Sequence, residues 1–95
     1  MDSIQNQNDR SDFKAAAKAV RAAWPGKGSV VVSYANKTIK IRCGYFYRHR
    51  SLEDWVRAAN QKLATLPFDF VITDTMDNWQ PWPRDSYYQL TVRVQ

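Results

Sequence analysis

Apolar side chains near the N-terminus follow the period of an amphipathic helix. Five of them recur at spacings of three and four residues: Phe13, Ala16, Ala17, Val20 and Trp24. This spacing places them on one helical face. Ser11 stands before the run as a predicted N-cap, and Pro25-Gly26 predicts the end of the helix. The opposite face is predicted to carry a basic stripe of Lys14, Lys18 and Arg21.

The first ten residues carry mostly Asn, Gln, Asp and Ser side chains, which compete with helix formation and bury little apolar surface. We therefore predict a flexible tail over residues 1–10 and a single α+β domain over residues 11–95. A chain of 95 residues is long enough for one modest core.

Two short apolar runs over residues 30–43 predict a β-hairpin. If Asn36-Lys37 forms a two-residue turn, the apolar residues of the two strands meet on one face. The pairs are then Val30 with Cys43, Val32 with Ile41, and Tyr34 with Ile39. The other face pairs Ser33 with Lys40 and Val31 with Arg42. This register predicts one apolar and one basic face.

A second helix is predicted to begin at Ser51 and to end near Leu66, before Pro67. Ser51 precedes the carboxylate of Asp54 by three residues, which is the spacing of an N-terminal cap. The predicted buried stripe of this helix is Leu52, Trp55, Val56, Ala59, Leu63 and Leu66.

Alternation predicts two further strands, each with one face in solvent. The first covers residues 68–74 and turns Phe68, Phe70 and Ile72 inward. The second covers residues 87–94 and turns Tyr88, Leu90, Val92 and Val94 inward.

The order αββαββ predicts an α+β two-layer sandwich, with two helices on one face of a four-stranded, mainly antiparallel sheet. The second and third strands could be parallel neighbours or could sit apart, and the sequence leaves both arrangements open. The sheet face away from the helices is predicted to carry Lys40, Arg42 and Arg93, with Tyr87 as its aromatic residue. The paired aromatic motifs of RNA-recognition sheets are missing.

Positive charge is concentrated in one part of the chain. Between Phe13 and Ser51 there are nine Lys or Arg residues and no Asp or Glu. The net charge is −2 over residues 1–12, +9 over residues 13–51 and −2 over residues 52–95. This asymmetry favours an anionic partner, namely a nucleic acid, an anionic membrane or an acidic protein surface, and the alternative is ordinary solubility charge.

The basic stretch ends in an aromatic-basic segment, residues 45–50, which contains both aromatic rings and cations. Its candidate binding residues are Tyr45, Tyr47, Arg48, His49 and Arg50, with Lys40 and Arg42 beside them. The cations could contact phosphates while a ring stacks on an unpaired base. The same groups could instead dock an acidic or nucleic-acid-binding protein surface. As a third alternative, the rings plug the core and leave only the charges in water.

A long connection over residues 76–86 presents two tryptophans between the last two strands. Trp79, Trp82 and Arg84 are candidate interface residues, because Trp and Arg dominate interface hot spots and the prolines stiffen the loop. The alternative is that one or both rings fold back over the edge of the core.

Catalytic signatures are weak, so we predict no enzyme, no metal and no cofactor. Cys43 is the single cysteine and His49 the single histidine, and the hairpin register turns Cys43 toward the core, where a thiol is unreactive. Asp74, Asp77 and Asp85 lack the spacing of a cation site. One cysteine and the lack of any long apolar run predict a soluble, cytoplasmic protein with no membrane contact.

Residues 12–66 resemble a family of small domains. The helix stop Trp24-Pro25-Gly26-Lys27, the basic hairpin over residues 29–44 and the helix from Ser51 look like a large-polyvalent-protein-associated domain of phages and conjugative elements. The resemblance implies a mobile-element accessory protein similar to anti-CRISPR inhibitors.

We therefore expect a non-catalytic, basic binding protein, a phage or mobile-element inhibitor of a host defence nucleoprotein complex that acts by protein contact. Its expected partner is an acidic or nucleic-acid-binding host protein complex. The alternative is an accessory protein that binds RNA or DNA directly through a basic-aromatic patch. The oligomeric state stays open.

Overall fold

The computed structural model describes residues 2–44, 51–79 and 86–95, with side chains from residue 12 onward. Two helices and four strands are found there in the order αββαββ, so the predicted α+β fold is confirmed. The elements are α1 (Asp2–Ala23), β1 (Val30–Ser33), β2 (Thr38–Gly44), α2 (Leu52–Leu63), β3 (Phe70–Asn78) and β4 (Tyr87–Val94).

The strands form one open antiparallel sheet in the order β1-β2-β4-β3. β2 and β3 are therefore not neighbours, although they follow one another along the chain through α2. β4 lies between them and pairs with both, from Gly44 opposite Tyr87 to Thr38 opposite Arg93 on the β2 side. This order resolves the alternative that the sequence left open.

Both helices cover the same face of the sheet and enclose the core. The α1 stripe is buried from Phe13 to Val20, and Trp24 packs against its edge. Three α2 residues, Trp55, Ala59 and Leu63, are buried against the sheet. The fully buried sheet residues beneath the helices are Ile39, Ile41, Cys43, Leu90 and Val92. The inward faces predicted for both helices and for β2 and β4 are confirmed.

The start of α1 differs from the prediction. The helix begins at Asp2, so Ser11 lies inside it and does not cap it, and residues 2–10 continue the helix instead of forming a separate irregular segment. No Gly or Pro occurs before Pro25. Polar side chains lower helix propensity only modestly, so nothing in the sequence breaks the helix before that point.

The predicted hairpin register is wrong by two residues. Val30 pairs with Ile41 and Val32 with Ile39, so the loop is the four-residue segment 34–37 instead of a two-residue turn. A tight two-residue turn of type I′ needs positive φ at both central residues. Here only Lys37 has it, with φ of 54°, and the Asn36 amide donates a hydrogen bond of 3.3 Å to Ser33 Oγ.

The two-residue shift leaves every predicted face unchanged, because side chains alternate with a period of two. It moves Tyr34 out of the strand and into the loop. The Tyr34 ring is exposed, and it meets Phe13 edge-on at 5.5 Å between ring centroids.

β3 begins later and ends later than predicted. Phe68 precedes the strand, and its ring contacts Phe70 edge-on. The strand continues to Asn78, into the connection predicted over residues 76–86, which we call the Trp loop. A β-bulge interrupts the pairing, because Ile72 lies opposite Val92 whereas Asp74 lies opposite the next residue of β4, Thr91. Thr73 is the extra residue, and a bulge of this kind is typical of edge strands.

Candidate functional site

The candidate site is the sheet face that the helices leave uncovered, which we call the open face. The pairing registers place these residues on it: Val31 and Ser33 of β1, Thr38, Lys40 and Arg42 of β2, Tyr87, Gln89, Thr91 and Arg93 of β4, and Val71, Asp74 and Met76 of β3. The sequence predicted its three cations and Tyr87 on this face, and the register confirms their placement.

Arg42 is held in a fixed position on the open face. Its Nε donates a hydrogen bond of 2.7 Å to Oε1 of Gln89, the residue directly opposite it on β4. Its guanidinium carbon lies 4.7 Å from the ring centroid of Tyr87, in the geometry of a cation–π contact. Two contacts, both with residues of β4, therefore restrict a side chain that is otherwise exposed to solvent.

The centre of β4 is less exposed than predicted. Gln89 is 4% and Thr91 8% exposed, although both belong to the face that we expected to be solvated. β4 is an interior strand, so side chains of β2 and β3 flank it on both sides. Arg42 contacts Gln89, and Thr73 Oγ1 donates a hydrogen bond of 3.3 Å to the Thr91 carbonyl.

Exposed apolar side chains lie among the cations of the open face. Val31, Val71 and Met76 are between 38% and 44% exposed. Val31 lies directly opposite Lys40, and Met76 lies opposite Gln89, which holds Arg42.

Charge on the open face is positive on balance. Lys40, Arg42 and Arg93 are exposed, against the carboxylate of Asp74 at the β3 edge. Asp74 Oδ1 accepts a hydrogen bond of 2.9 Å from the Thr75 amide. The face is therefore a mixed surface of cations and aliphatic groups.

The predicted site residues fall in different places. Lys40 and Arg42 belong to the open face. Seven others lie outside the described residues: Tyr45, Tyr47, Arg48, His49, Arg50, Trp82 and Arg84. Trp79 stacks on Tyr88 with 4.7 Å between ring centroids and an interplanar angle of 23°. Tyr88 belongs to the core on the helix side, so Trp79 is not brought together with Lys40 and Arg42.

A cleft of about 240 Å³ opens on the helix side, between the end of α1 and α2. Trp24 and Trp55 line it and meet edge-on at 6.3 Å between centroids. Cys43 also lines it, and burial raises the pKa of its thiol to about 11, so the thiol is protonated at neutral pH. The inward orientation predicted for Cys43 is confirmed. Over residues 2–44, 51–79 and 86–95, no cluster of three or more His, Cys, Asp or Glu side chains could hold a metal ion.

Sequence reasoning missed Gln89 and Met76 as parts of the site. Alternation over residues 87–94 puts Gln89 on the correct face, but its contact with Arg42 requires β4 to lie beside β2, which the sequence does not decide. Met76 was assigned to the Trp loop, because the β3 bulge that brings it to the open face has no sequence signal of its own.

In the described part of the chain, fold and site together define a small α+β domain in which α1 and α2 cover one sheet face and leave the other uncovered. No protein-family model matches the chain, and neither a curated protein nor a solved structure shows significant similarity to it. Neither α1 nor α2, the helices of the described part of the chain, is long and apolar enough to cross a membrane.

Proposed function

We propose that this chain is a non-catalytic binding protein whose open face docks on an acidic surface of a partner protein. One observation carries the proposal: exposed cations and exposed aliphatic side chains share one uncovered sheet face. Protein interfaces combine apolar contact with a polar rim, and complementary charge raises the association rate and selects the partner.

Direct nucleic-acid binding is the alternative, and the open face supports it less well. Sheets that bind single strands present exposed aromatic rings on which bases stack. Tyr87 is the aromatic residue that the pairing registers place on the open face, and its ring is half-buried and already contacts Arg42. The residues opposite Tyr87 on the neighbouring strands are Gly44 and Asn78, and the large exposed apolar side chains elsewhere on the face, Val31, Val71 and Met76, are not aromatic.

The narrower proposal is that the partner belongs to a host defence nucleoprotein complex and that binding inhibits it. It rests on the resemblance of residues 12–66 to domains of phages and conjugative elements. A basic inhibitor has the charge to engage an acidic protein surface, and the open face supplies exposed positive charge for this contact.

The test is capture of partners from a host lysate on immobilised protein, with and without nuclease. The informative variant is Lys40→Glu with Arg93→Glu, which reverses two charges of the open face. Its matched control is Lys14→Glu with Lys18→Glu, two exposed α1 residues on the opposite side of the sheet. The proposal is supported if the wild-type chain still captures a host protein after nuclease treatment, the open-face variant does not capture it, and the control variant does.

Two results would overturn it. One is retention of the same protein by the open-face variant. The other is loss of all captured protein after nuclease treatment, with binding to oligothymidylate that weakens steeply as salt rises, because counterion release marks phosphate contacts.

A further inference from the structure

We infer that Arg42 is the anchor of the open face and that it grips one carboxylate of the partner through both of its terminal nitrogens. This inference rests on the proposed function and names the chemical group that the open face recognises. It is carried by the contacts of Arg42 with Gln89 and Tyr87.

Arg42 is an exposed residue, and its contacts with described residues engage Nε and the guanidinium carbon. A guanidinium carries five N–H donors, and here Nε–H is used on Gln89. Within the described part of the chain, the Arg42 side chain donates no other hydrogen bond. The Nη1 and Nη2 groups can therefore present two parallel N–H donors, which match the two oxygens of a carboxylate.

The supports of Arg42 reduce the cost of binding. An arginine loses rotamer freedom when it binds a ligand, and restraint before binding removes part of that cost. Gln89 is almost fully buried, so its own position is fixed by the sheet, and the guanidinium carbon of Arg42 also contacts the Tyr87 ring. Gln89 is thus a positioning residue, because it acts on the ligand through Arg42.

A carboxylate fits this site better than a phosphodiester does. Met76 is exposed on β3 opposite Gln89, which lies between it and Arg42. An exposed apolar side chain two strands from Arg42 suits the apolar groups that flank an acidic residue in a protein surface. Lys40 and Arg93 lie on the same face and add electrostatic attraction for an anion. The hydrogen bond to Gln89 and the contact with Tyr87 set Arg42 apart from them.

The experiment is an NMR titration of the full chain with an oligoglutamate peptide, followed at the backbone amide resonances of β2 and β4 in every variant and also at the Arg42 Nε–H resonance where Arg42 is present. Oligothymidylate of equal charge is the comparison. The decisive variant is Arg42→Lys, which keeps the charge and removes the fork. Its control is Arg93→Lys on the same face. We expect Arg42→Lys to weaken peptide binding about tenfold and Arg93→Lys about twofold or less.

A second variant tests the positioning role. Gln89→Leu should speed hydrogen exchange of Arg42 Nε–H and weaken peptide binding several-fold. Backbone amide exchange is the control: if it is unchanged, the faster exchange at Arg42 is not caused by a loss of overall stability. Equal effects of Arg42→Lys and Arg93→Lys would overturn the anchor while leaving the proposed function standing. Tighter binding of oligothymidylate than of the peptide would overturn the carboxylate assignment. Failure of the charge-reversal test in the lysate would instead remove the proposed function itself.

Discussion

The ammonium group of Lys62 on α2 donates a hydrogen bond of 2.8 Å to the carbonyl oxygen of Ala23, the last residue of α1. The same ammonium lies 4.9 Å from the ring centroid of Trp24. A cation at this position satisfies a carbonyl at the helix end and opposes the negative end of the α1 dipole. One side chain therefore connects the two helices across the mouth of the cleft.

We expect Lys62→Met to lower the free energy of unfolding by about 1 kcal/mol, because it removes the hydrogen bond and the cation–π contact but keeps the apolar stem. Urea denaturation measures the change. Arg57→Met is the matched control, since Arg57 is an exposed α2 residue, and its effect should stay within about 0.5 kcal/mol. Equal effects of the two variants would contradict the structural role of Lys62.

Trp79 covers Tyr88, and this stacking supports the interpretation of Trp79 as a cover of the core edge. We expect Trp79→Ala to lower the free energy of unfolding by about 1 kcal/mol and the melting temperature by roughly 4–8 °C. Trp79→Phe retains an aromatic ring for stacking and should lose less than half as much. An unchanged melting temperature in Trp79→Ala would instead favour an interface role for the ring.

Ser51 caps α2 as predicted: its Oγ accepts a hydrogen bond of 3.1 Å from the Asp54 amide, and the residue is in an extended conformation with φ of −158°. We expect Ser51→Ala to cost about 1 kcal/mol of stability, because the Asp54 amide loses its side-chain acceptor. Ser51→Asp keeps an acceptor at the same place and should be close to wild type in urea denaturation. A cost as large for Ser51→Asp would show that the cap is not the cause.

Burial of Cys43 predicts a loss of stability in alkaline solution. The pKa of its thiol rises from an ordinary 9.0 to about 11 in the folded protein because burial disfavours the thiolate. Between these two pH values the unfolded chain releases the proton while the folded chain keeps it. The free energy of unfolding is therefore highest below pH 9 and falls as pH rises from 9 toward 11.

Denaturation at a series of pH values tests this dependence. Cys43→Ala should have a lower stability at pH 7 because it leaves a small cavity, but a flatter decline above pH 9. Burial and the nearby charge of Asp77 also raise the pKa of Tyr88. Part of the alkaline loss of stability should therefore remain in Cys43→Ala, and that part should be smaller in Tyr88→Phe. An identical decline in Cys43→Ala and wild type would contradict the contribution of the thiol.

The elements that the sequence predicted well are those with one strong periodic signal. β4 has the predicted bounds, and α2 has the predicted cap and the predicted stripe up to Leu63, because alternation and helical spacing each allow a single solution there. The helix ends at Leu63, three residues before the predicted end, so Leu66 packs against the core from outside it. The hairpin register failed for the opposite reason. Pairing Val30 with Ile41 or with Cys43 buries the same apolar residues, so the hydrophobic pattern cannot choose between the two.

Alternation along each single strand predicts which side chains lie on the open face, but it does not predict which of them contact one another. Lys40, Arg42 and Arg93 follow from that alternation. The contact between Arg42 and Gln89 depends on which strand lies beside β2, and this is decided by packing of the whole sheet under the helices. The periodicity of a single strand therefore does not predict contacts between residues on neighbouring strands.

The loop over residues 34–37 bears on how this chain can change its length over evolutionary time. Because each strand turns every second side chain inward, sliding the pairing by two residues still leaves the apolar residues beneath the helices. Sliding it by one residue would turn one strand over and expose its apolar face. Relatives of this protein whose hairpin pairing is shifted should therefore differ by an even number of residues.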